Sequence, residues 1–287
     1  MPYRGGTMDL APAYLIAFAV GTLLGMLLLL RIAERRLVSD LVSGNQAARL
    51  FRVGQVVAVF MIVASVVRGS VTGEQIGRDA LWAAAFGAVG VVLMLVTGHL
   101  GVRLMFQDQL PAEIKRGNTA AGLASGAHFI AAGYITSRAM GGNGLRDLSL
   151  SLVFFVLAQV TLVIFVSLFR ALTTYDDAEQ IRGENFAAAI SYGGLALAIA
   201  IVVGRALDGD FTGWANSLKG YAGVLASGVA LYPVRQLFVQ SFLLAGPLSL
   251  RGGRIDSGIA AEHDAGIAAL EGATYVATAL ALARLLG

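Results

Sequence analysis

The sequence contains no cysteine, only five prolines and only three histidines among its 287 residues. Without cysteine the chain can form no disulfide, thiolate nucleophile, cysteine-ligated zinc site or iron–sulfur cluster. The histidines, His99, His128 and His263, lie far apart and show no metal-ligand spacing. The 36 glycines, with so few prolines, favour close helix packing rather than long loops or disorder.

Charged residues are also scarce, at 14% of the chain, whereas 57% of the residues are hydrophobic. Soluble proteins average roughly 25% charged residues, and a soluble domain of this size has no core large enough to hide so much apolar sequence. The net charge of +3 is spread over short loops, so we expect no nucleic-acid partner. No phosphate-binding loop, Gly-x-Ser-x-Gly, His-Glu-x-x-His or dinucleotide fingerprint is present, which favours a non-enzymatic protein without a cofactor.

Eight apolar runs are each about as long as a membrane-spanning helix requires. They cover Leu10–Leu30, Ala47–Val67, Ala80–Val102, Ala120–Ala139, Leu148–Leu168, Phe186–Val203, Trp214–Tyr232 and Ala265–Leu286. The sequence therefore predicts an all-α, polytopic membrane bundle of eight helices. The connections after the odd-numbered runs carry 13 Lys and Arg residues and the opposite side carries 8. By the positive-inside rule, both termini should lie outside the cytoplasm.

A repeat of two helices recurs four times along the chain. Each odd-numbered run ends in an arginine: Arg31, Arg103, Arg170 and Arg235. Each even-numbered run opens with a short polar residue: Asn45, Asn118, Asn185 and Asp264. The first three pairs are 14, 15 and 15 residues apart and the last is 29 apart, because residues 239–261 contain an insertion. The chain therefore consists of four tandem hairpins.

The hairpins also pair into two larger copies. Trp82 and Trp214 each lie 21 residues before a repeat arginine, Arg103 and Arg235 respectively. We therefore divide the chain into two four-helix membrane repeats, residues 1–146 and 147–287. Since four is even, the copies share one orientation and should be related by an axis along the membrane normal.

The motif that opens the even-numbered runs resembles a known family. Gly117-Asn118-Thr119-Ala120-Ala121-Gly122, with its preceding arginine and spacer, is similar to the YjfL-like bacterial inner-membrane proteins, a domain family of unknown function. The resemblance covers nearly the whole chain as two copies, although the fourth hairpin has Asp264 and Gly266 in place of Asn and Ala. It implies a bacterial inner-membrane location and association with phage-shock-type envelope-stress proteins and polyamine-related enzymes. It implies no catalytic residues.

The repeated polar residues allow two interpretations each. Asn45, Asn118, Asn185 and Asp264 stand where helices begin and are good N-caps; alternatively, they form a ring at the cytoplasmic mouth of a central pathway. Arg31, Arg103, Arg170 and Arg235 would reach lipid headgroups and fix the depth of each helix. They could instead form a collar that attracts anions.

One layer of the repeat, seven residues after each cap, carries the strongest candidate site. It contains Arg52, Ser125, Tyr192 and Glu271. Ionisable groups inside a membrane are costly, so they mark functional sites by default. An Arg52–Glu271 ion pair would be either a structural link between the first and last hairpins or part of a site for an ion or polar solute; the third alternative is that the two never meet.

His128 lies in the middle of a glycine-rich run, where a hydrogen bond across a helix interface is the ordinary role. It could otherwise relay protons or ligate haem, with His99 a poor second ligand because of its depth. The sequence thus leaves three functions open: an ion or small-solute pathway, a structural membrane partner in envelope-stress maintenance, and a haem-binding oxidoreductase. Membrane lipids are the expected partners, and a homo-oligomer is compatible with the sequence.

Overall fold

A computed structural model describes residues 12–107, 109–249 and 251–286, and over these ranges the chain is helical and has no strand. The long helices alternate with short ones that connect the hairpins. In chain order they are α1 (Pro12–Ala33), α2 (Leu37–Val42), α3 (Gln46–Ser70), α4 (Ile76–Phe106), α5 (Leu110–Arg116), α6 (Thr119–Ala139), α7 (Leu145–Arg170), α8 (Asp177–Arg182), α9 (Phe186–Ala206), α10 (Trp214–Gly228), α11 (Leu231–Val234), a π-helix (Arg235–Leu243), α12 (Arg254–Ala260) and α13 (Ala265–Leu285).

Seven helical segments of the described chain, rather than the predicted eight, are long and apolar enough to cross a membrane. The exception is α6, which replaces the predicted run Ala120–Ala139. It has the same 21-residue length as α9 and α13 but is rich in Gly and Ser and contains His128. Fifteen of its residues are buried against other helices, so most of its surface faces protein rather than lipid and need not be strongly apolar. The segment Trp214–Leu243, which corresponds to the seventh predicted run, extends beyond the predicted Tyr232 because the π-helix continues it.

The second long helix of each hairpin belongs to a central row. Helix α3 packs on α6, α6 on α9, and α9 on α13. The first helices of the hairpins, α1, α4, α7 and α10, form an outer layer against this row. The four central helices begin at the same end of the bundle, which we call the cap end. The fold is therefore an open row of repeats rather than a closed ring.

Glycine permits the closest approaches within the row. A Cβ atom on Gly54 would lie 2.3 Å from the carbonyl oxygen of Gly126, and one on Gly194 would lie 2.3 Å from the Cα of Gly272. No side chain fits at these crossings of α3 with α6 and of α9 with α13. Because Gly54 and Gly194 both lie nine residues after their caps, the two halves of the chain use the same packing register.

Candidate functional site: a buried charge network

The four repeat caps bind the first turn of their own helices. Each accepts a hydrogen bond from the backbone N–H three residues further on: Asn45 from Ala48 (3.0 Å), Asn118 from Ala121 (3.1 Å), Asn185 from Ala188 (3.2 Å) and Asp264 from Ile267 (3.0 Å). These bonds satisfy donors that a helix N-terminus leaves unpaired.

The asparagine caps also join each hairpin to the next. Their side-chain N–H groups donate to the carbonyl of an isoleucine in the following short connecting helix: Asn45 to Ile114 (2.8 Å), Asn118 to Ile181 (2.8 Å) and Asn185 to Ile259 (2.7 Å). Asp264, in the fourth hairpin, has only acceptor oxygens, and it accepts from the backbone N–H groups of Gly266 and Ile267. Each asparagine thus uses its amide oxygen for capping and its amide nitrogen for linkage to the next hairpin. The caps lie along a row rather than in a ring.

The predicted layer of Arg52, Ser125, Tyr192 and Glu271 does not form one site, and the predicted Arg52–Glu271 ion pair is wrong. Arg52 binds Glu34 (2.7 Å) and Asp40 (2.8 Å) within the first hairpin. Glu271 binds Arg235 (2.5 Å) in the fourth. The error has a physical reason: α6 and α9 stand between α3 and α13 in the row, so equal depth does not bring the side chains together.

The two middle members of that layer have separate environments. The Tyr192 hydroxyl lies 2.8 Å from Nδ1 of His128, and both side chains are buried. The Ser125 hydroxyl is buried and has no hydrogen-bond partner. His128 therefore bridges α6 and α9, as the ordinary interpretation of that residue expects.

The repeat arginines divide into two kinds. Arg31 and Arg103 are exposed, which fits contact with headgroups. Arg170 forms an ion pair with Asp177, and Arg235 is fully buried between Asp256 and Glu271. For Arg170 and Arg235 the predicted contact with lipid headgroups is therefore wrong, since carboxylates inside the protein bind them instead.

These contacts form a continuous buried charge network in the second half of the chain, made of Arg170, Asp177, Ser191, Arg235, Asp256 and Glu271. Its centre is the carboxylate of Glu271, which accepts from Arg235 Nε (2.5 Å) and from the Ser191 hydroxyl (2.5 Å). Arg235 also donates from Nη2 to Asp256 (2.6 Å). Arg170 reaches the same Ser191 hydroxyl through Nη1 (3.2 Å). Ser191 therefore joins the Arg170–Asp177 pair to the Arg235–Glu271–Asp256 group.

The network is deeply buried and carries a formal charge of −1, from two arginines and three carboxylates. Glu271 and Arg235 are 0% exposed and Asp256 is 1% exposed. Buried charges are tolerated only when they are paired and hydrogen-bonded, and most of these are. Nη1 of Arg235 is the exception, because it is buried without a partner.

One edge of the network opens onto a cavity of about 500 Å³ near the cap end. Arg170 and Asp177 line it together with Tyr175, Tyr192 and Arg251. Burial raises the pKa of the Asp177 carboxyl to about 6, against the opposing effect of the Arg170 guanidinium. Burial likewise raises the pKa of Tyr175 to about 12. The cavity therefore meets a carboxylate that can exchange a proton near neutral pH.

Sequence reasoning missed the acidic partners, although the repeat contains a signal for them. Asp177 and Asp256 each lie eight residues before their caps, where the first half has Leu37 and Leu110. Both leucines are buried. At this position the second half has a carboxylate, and Arg170 and Arg235 bind it.

The first half has a smaller cluster of its own around Arg52. Gln55 accepts from Arg52 (2.9 Å) and donates to Glu34 (3.1 Å). Nε2 of His99 lies 3.2 Å from Glu34. Within the ranges that the structure covers, no three His, Asp or Glu side chains are arranged to hold a metal ion.

Comparison with known proteins assigns the family. The model of a family described as Domain of Unknown Function (DUF350) matches twice in tandem, over residues 7–140 and 144–286. The chain is 32% identical over 106 residues to a UPF0719 transmembrane protein of Aquifex aeolicus (strain VF5); the match covers 36% of this chain and 40% of that relative. No solved structure matches. Neither match bears the YjfL name, so the likeness to those proteins stays a resemblance. The chain is a multi-pass membrane protein and belongs to the DUF350 family, of which it carries two tandem copies.

Proposed function

We propose that the protein provides a membrane pathway for a proton or a small cation, and that the buried charge network is the binding site in that pathway. The observation that carries the proposal is the contact between this network and the cavity lined by Arg170 and Asp177. An intramembrane charge cluster that meets such a cavity is typical of transport sites.

The sign of the charge favours a cation or a proton over an anion. The network has one more carboxylate than it has arginines, so an added positive charge would neutralise it. Asp177 lies at the boundary between network and cavity, with a side chain that is 10% exposed. It is therefore the group best placed to take up a proton from outside the bundle.

A second cavity, of about 890 Å³, lies at the opposite end of the bundle and is lined by Arg138, Arg205 and Asp208. Helices α7 and α9 border both cavities, since Ser167 and Tyr192 line the first whereas Ser151 and Arg205 line the second. The polar residues Gln159 and Thr161 lie between these ends on α7. Gln159 donates to Ala132 O of α6 (3.2 Å) and Thr161 accepts from Tyr221 of α10 (2.9 Å). We therefore propose that the pathway runs along α7, between the two cavities.

In this proposal the protein lies in a bacterial inner membrane with both termini periplasmic and the cap end in the cytoplasm. Since the chain has no cysteine, one introduced thiol gives an unambiguous label. A cysteine in place of the exposed Glu179 should react with an impermeant maleimide only when the reagent can reach the cytoplasmic side of the membrane. Labelling from the periplasm of intact cells would contradict this orientation.

The pathway is tested with the purified full-length protein in liposomes that contain a pH-sensitive dye, under an imposed potassium diffusion potential. We expect flux above that of empty liposomes, and a loss of about tenfold or more in Asp177→Asn. Glu179→Gln is the matched control, because it makes the same charge change on the exposed face of the same short helix. Absence of flux for H⁺, Na⁺ and K⁺, or equal flux in the two variants, would overturn the proposal.

A structural membrane partner in envelope maintenance is the second candidate. The observation that favours it is the cap-to-carbonyl linkage between successive hairpins, which makes the row a rigid framework. Association with envelope-stress proteins stays an expectation from the resemblance. The haem hypothesis has less support, because Nδ1 of His128 faces Tyr192 and Nε2 faces the backbone of Gly101, where an added Cβ would lie 1.9 Å away.

A further inference from the structure

A cavity in the first half of the chain is separate from the charge network. It has a volume of about 550 Å³ and lies near the cap end, between the connecting segments of the first two hairpins. Its interior is apolar, with walls that include Phe51, Val102, Ile114 and Phe129. Pockets of this size accept a ligand of several tens of atoms.

The mouth of this cavity is basic. Four basic side chains line it, Arg36, Arg52, Arg103 and Lys115, against two carboxylates, Glu34 and Asp40. Both carboxylates bind Arg52, which leaves Arg36 and Lys115 as positive charges at the rim. Arg36, Arg103 and Lys115 are exposed. A cavity with an apolar interior and a basic rim complements an anionic amphiphile.

The inner wall contains an unused polar group. Ser125 is 0% exposed to solvent and lines the cavity, and its hydroxyl has no hydrogen-bond partner in the protein. A buried hydroxyl without a partner is unfavourable, so a ligand oxygen or a bound water there would stabilise the site. This observation is independent of the charge at the rim.

The depth of the cavity in the membrane favours a lipid over a solute from the aqueous phase. Helix α1 ends at Ala33, α3 begins at Gln46 and α4 ends at Phe106, and the rim residues lie at or just beyond these ends. This is the level at which a spanning helix meets lipid headgroups. We infer that the cavity binds one anionic phospholipid, with its headgroup at Arg36 and Lys115 and part of an acyl chain against Phe51 and Val102.

The test uses the full-length protein, incorporated in vesicles of equal parts phosphatidylglycerol and phosphatidylcholine, extracted in mild detergent and examined by native mass spectrometry. We expect one retained phosphatidylglycerol per chain. The variant Arg36→Gln/Lys115→Gln should retain it about 30-fold more weakly, since each basic side chain near the surface contributes about a factor of five. The control Arg31→Gln/Arg35→Gln removes two exposed charges from the same end without touching the cavity.

Equal retention of the two lipids, or equal losses in rim variant and control, would overturn the inference. A third arm adds millimolar inorganic phosphate alone and follows thermal unfolding. Stabilisation by phosphate equal to that by phosphatidylglycerol would refute a lipid and indicate a free-phosphate site. Because none of these residues belongs to the charge network, the result is independent of the proposed cation pathway.

Discussion

The substitution Asn185→Asp separates the capping of a helix from the linkage between two hairpins. In Asn185→Asp the side chain keeps the oxygen that accepts from Ala188 but loses the N–H group that donates to Ile259 O and to Gln180 Oε1, each at 2.7 Å. Asn185 is 1% exposed, so water cannot replace the lost donor. An orphaned buried carbonyl costs about 2 kcal/mol and the second lost bond about 1 kcal/mol, so we expect a total near 3 kcal/mol.

The reverse exchange, Asp264→Asn, is the matched control. In the described chain the Asp264 carboxylate accepts from the N–H groups of Gly266 and Ile267, which an asparagine oxygen can also do. The exchange therefore loses only part of the interaction with the helix dipole, less than about 1 kcal/mol. At roughly 2 °C per kcal/mol, Asn185→Asp should lower the Tm by about 6 °C and Asp264→Asn by no more than about 2 °C. Tryptophan fluorescence during thermal unfolding in detergent measures both. Equal shifts in the two variants would refute the linkage between hairpins.

Three further outcomes follow from the contacts above. Gly194→Ala should destabilise the fold by about 1–3 kcal/mol through overpacking, whereas Gly220→Ala, with open space around it, should stabilise its helix by up to about 1 kcal/mol; thermal unfolding compares them. Folding raises the pKa of Asp177, so this group stabilises the fold fully below pH 3.8, and that contribution is lost as the pH rises through about 6. Asp177→Asn should therefore flatten the dependence of Tm on pH between these two values. An unchanged dependence would contradict the raised pKa of Asp177. Arg52→Gln should cost about 3–5 kcal/mol because two carboxylates lose their partner, whereas the exposed Arg49→Gln should change unfolding by less than about 0.5 kcal/mol.

Local rules allowed the hairpins to be predicted from the sequence. Capping requires a particular residue type at one position, so the spacing of Asn45, Asn118, Asn185 and Asp264 gave the starts of the central helices within one residue. Membrane insertion likewise depends on local composition. These rules did not predict that α6 would be less apolar than a spanning helix exposed to lipid. The apolarity that a helix needs depends on which helices surround it and not only on its length.

Ionic partners could not be predicted because they depend on the arrangement of the hairpins. Placing Arg52 opposite Glu271 assumes a closed ring in which the first and last hairpins meet, whereas the structure is an open row. The alternative pairing of Arg235 with Asp256 needed the insertion of the fourth hairpin to fold back onto the bundle. Spacing along the chain contains no information about either arrangement.

The two halves show how one framework can hold different sites. Arg103 is followed seven residues later by Leu110, and Arg170 is followed at the same distance by Asp177. The leucine is buried beside an apolar cavity with an exposed basic rim, whereas the aspartate turns Arg170 inward. The caps and glycine crossings, which hold the backbone, use the same register in both halves. The position seven residues after the repeat arginine lies outside that framework, so it can hold a leucine in one copy and a network carboxylate in the other without a change in the backbone.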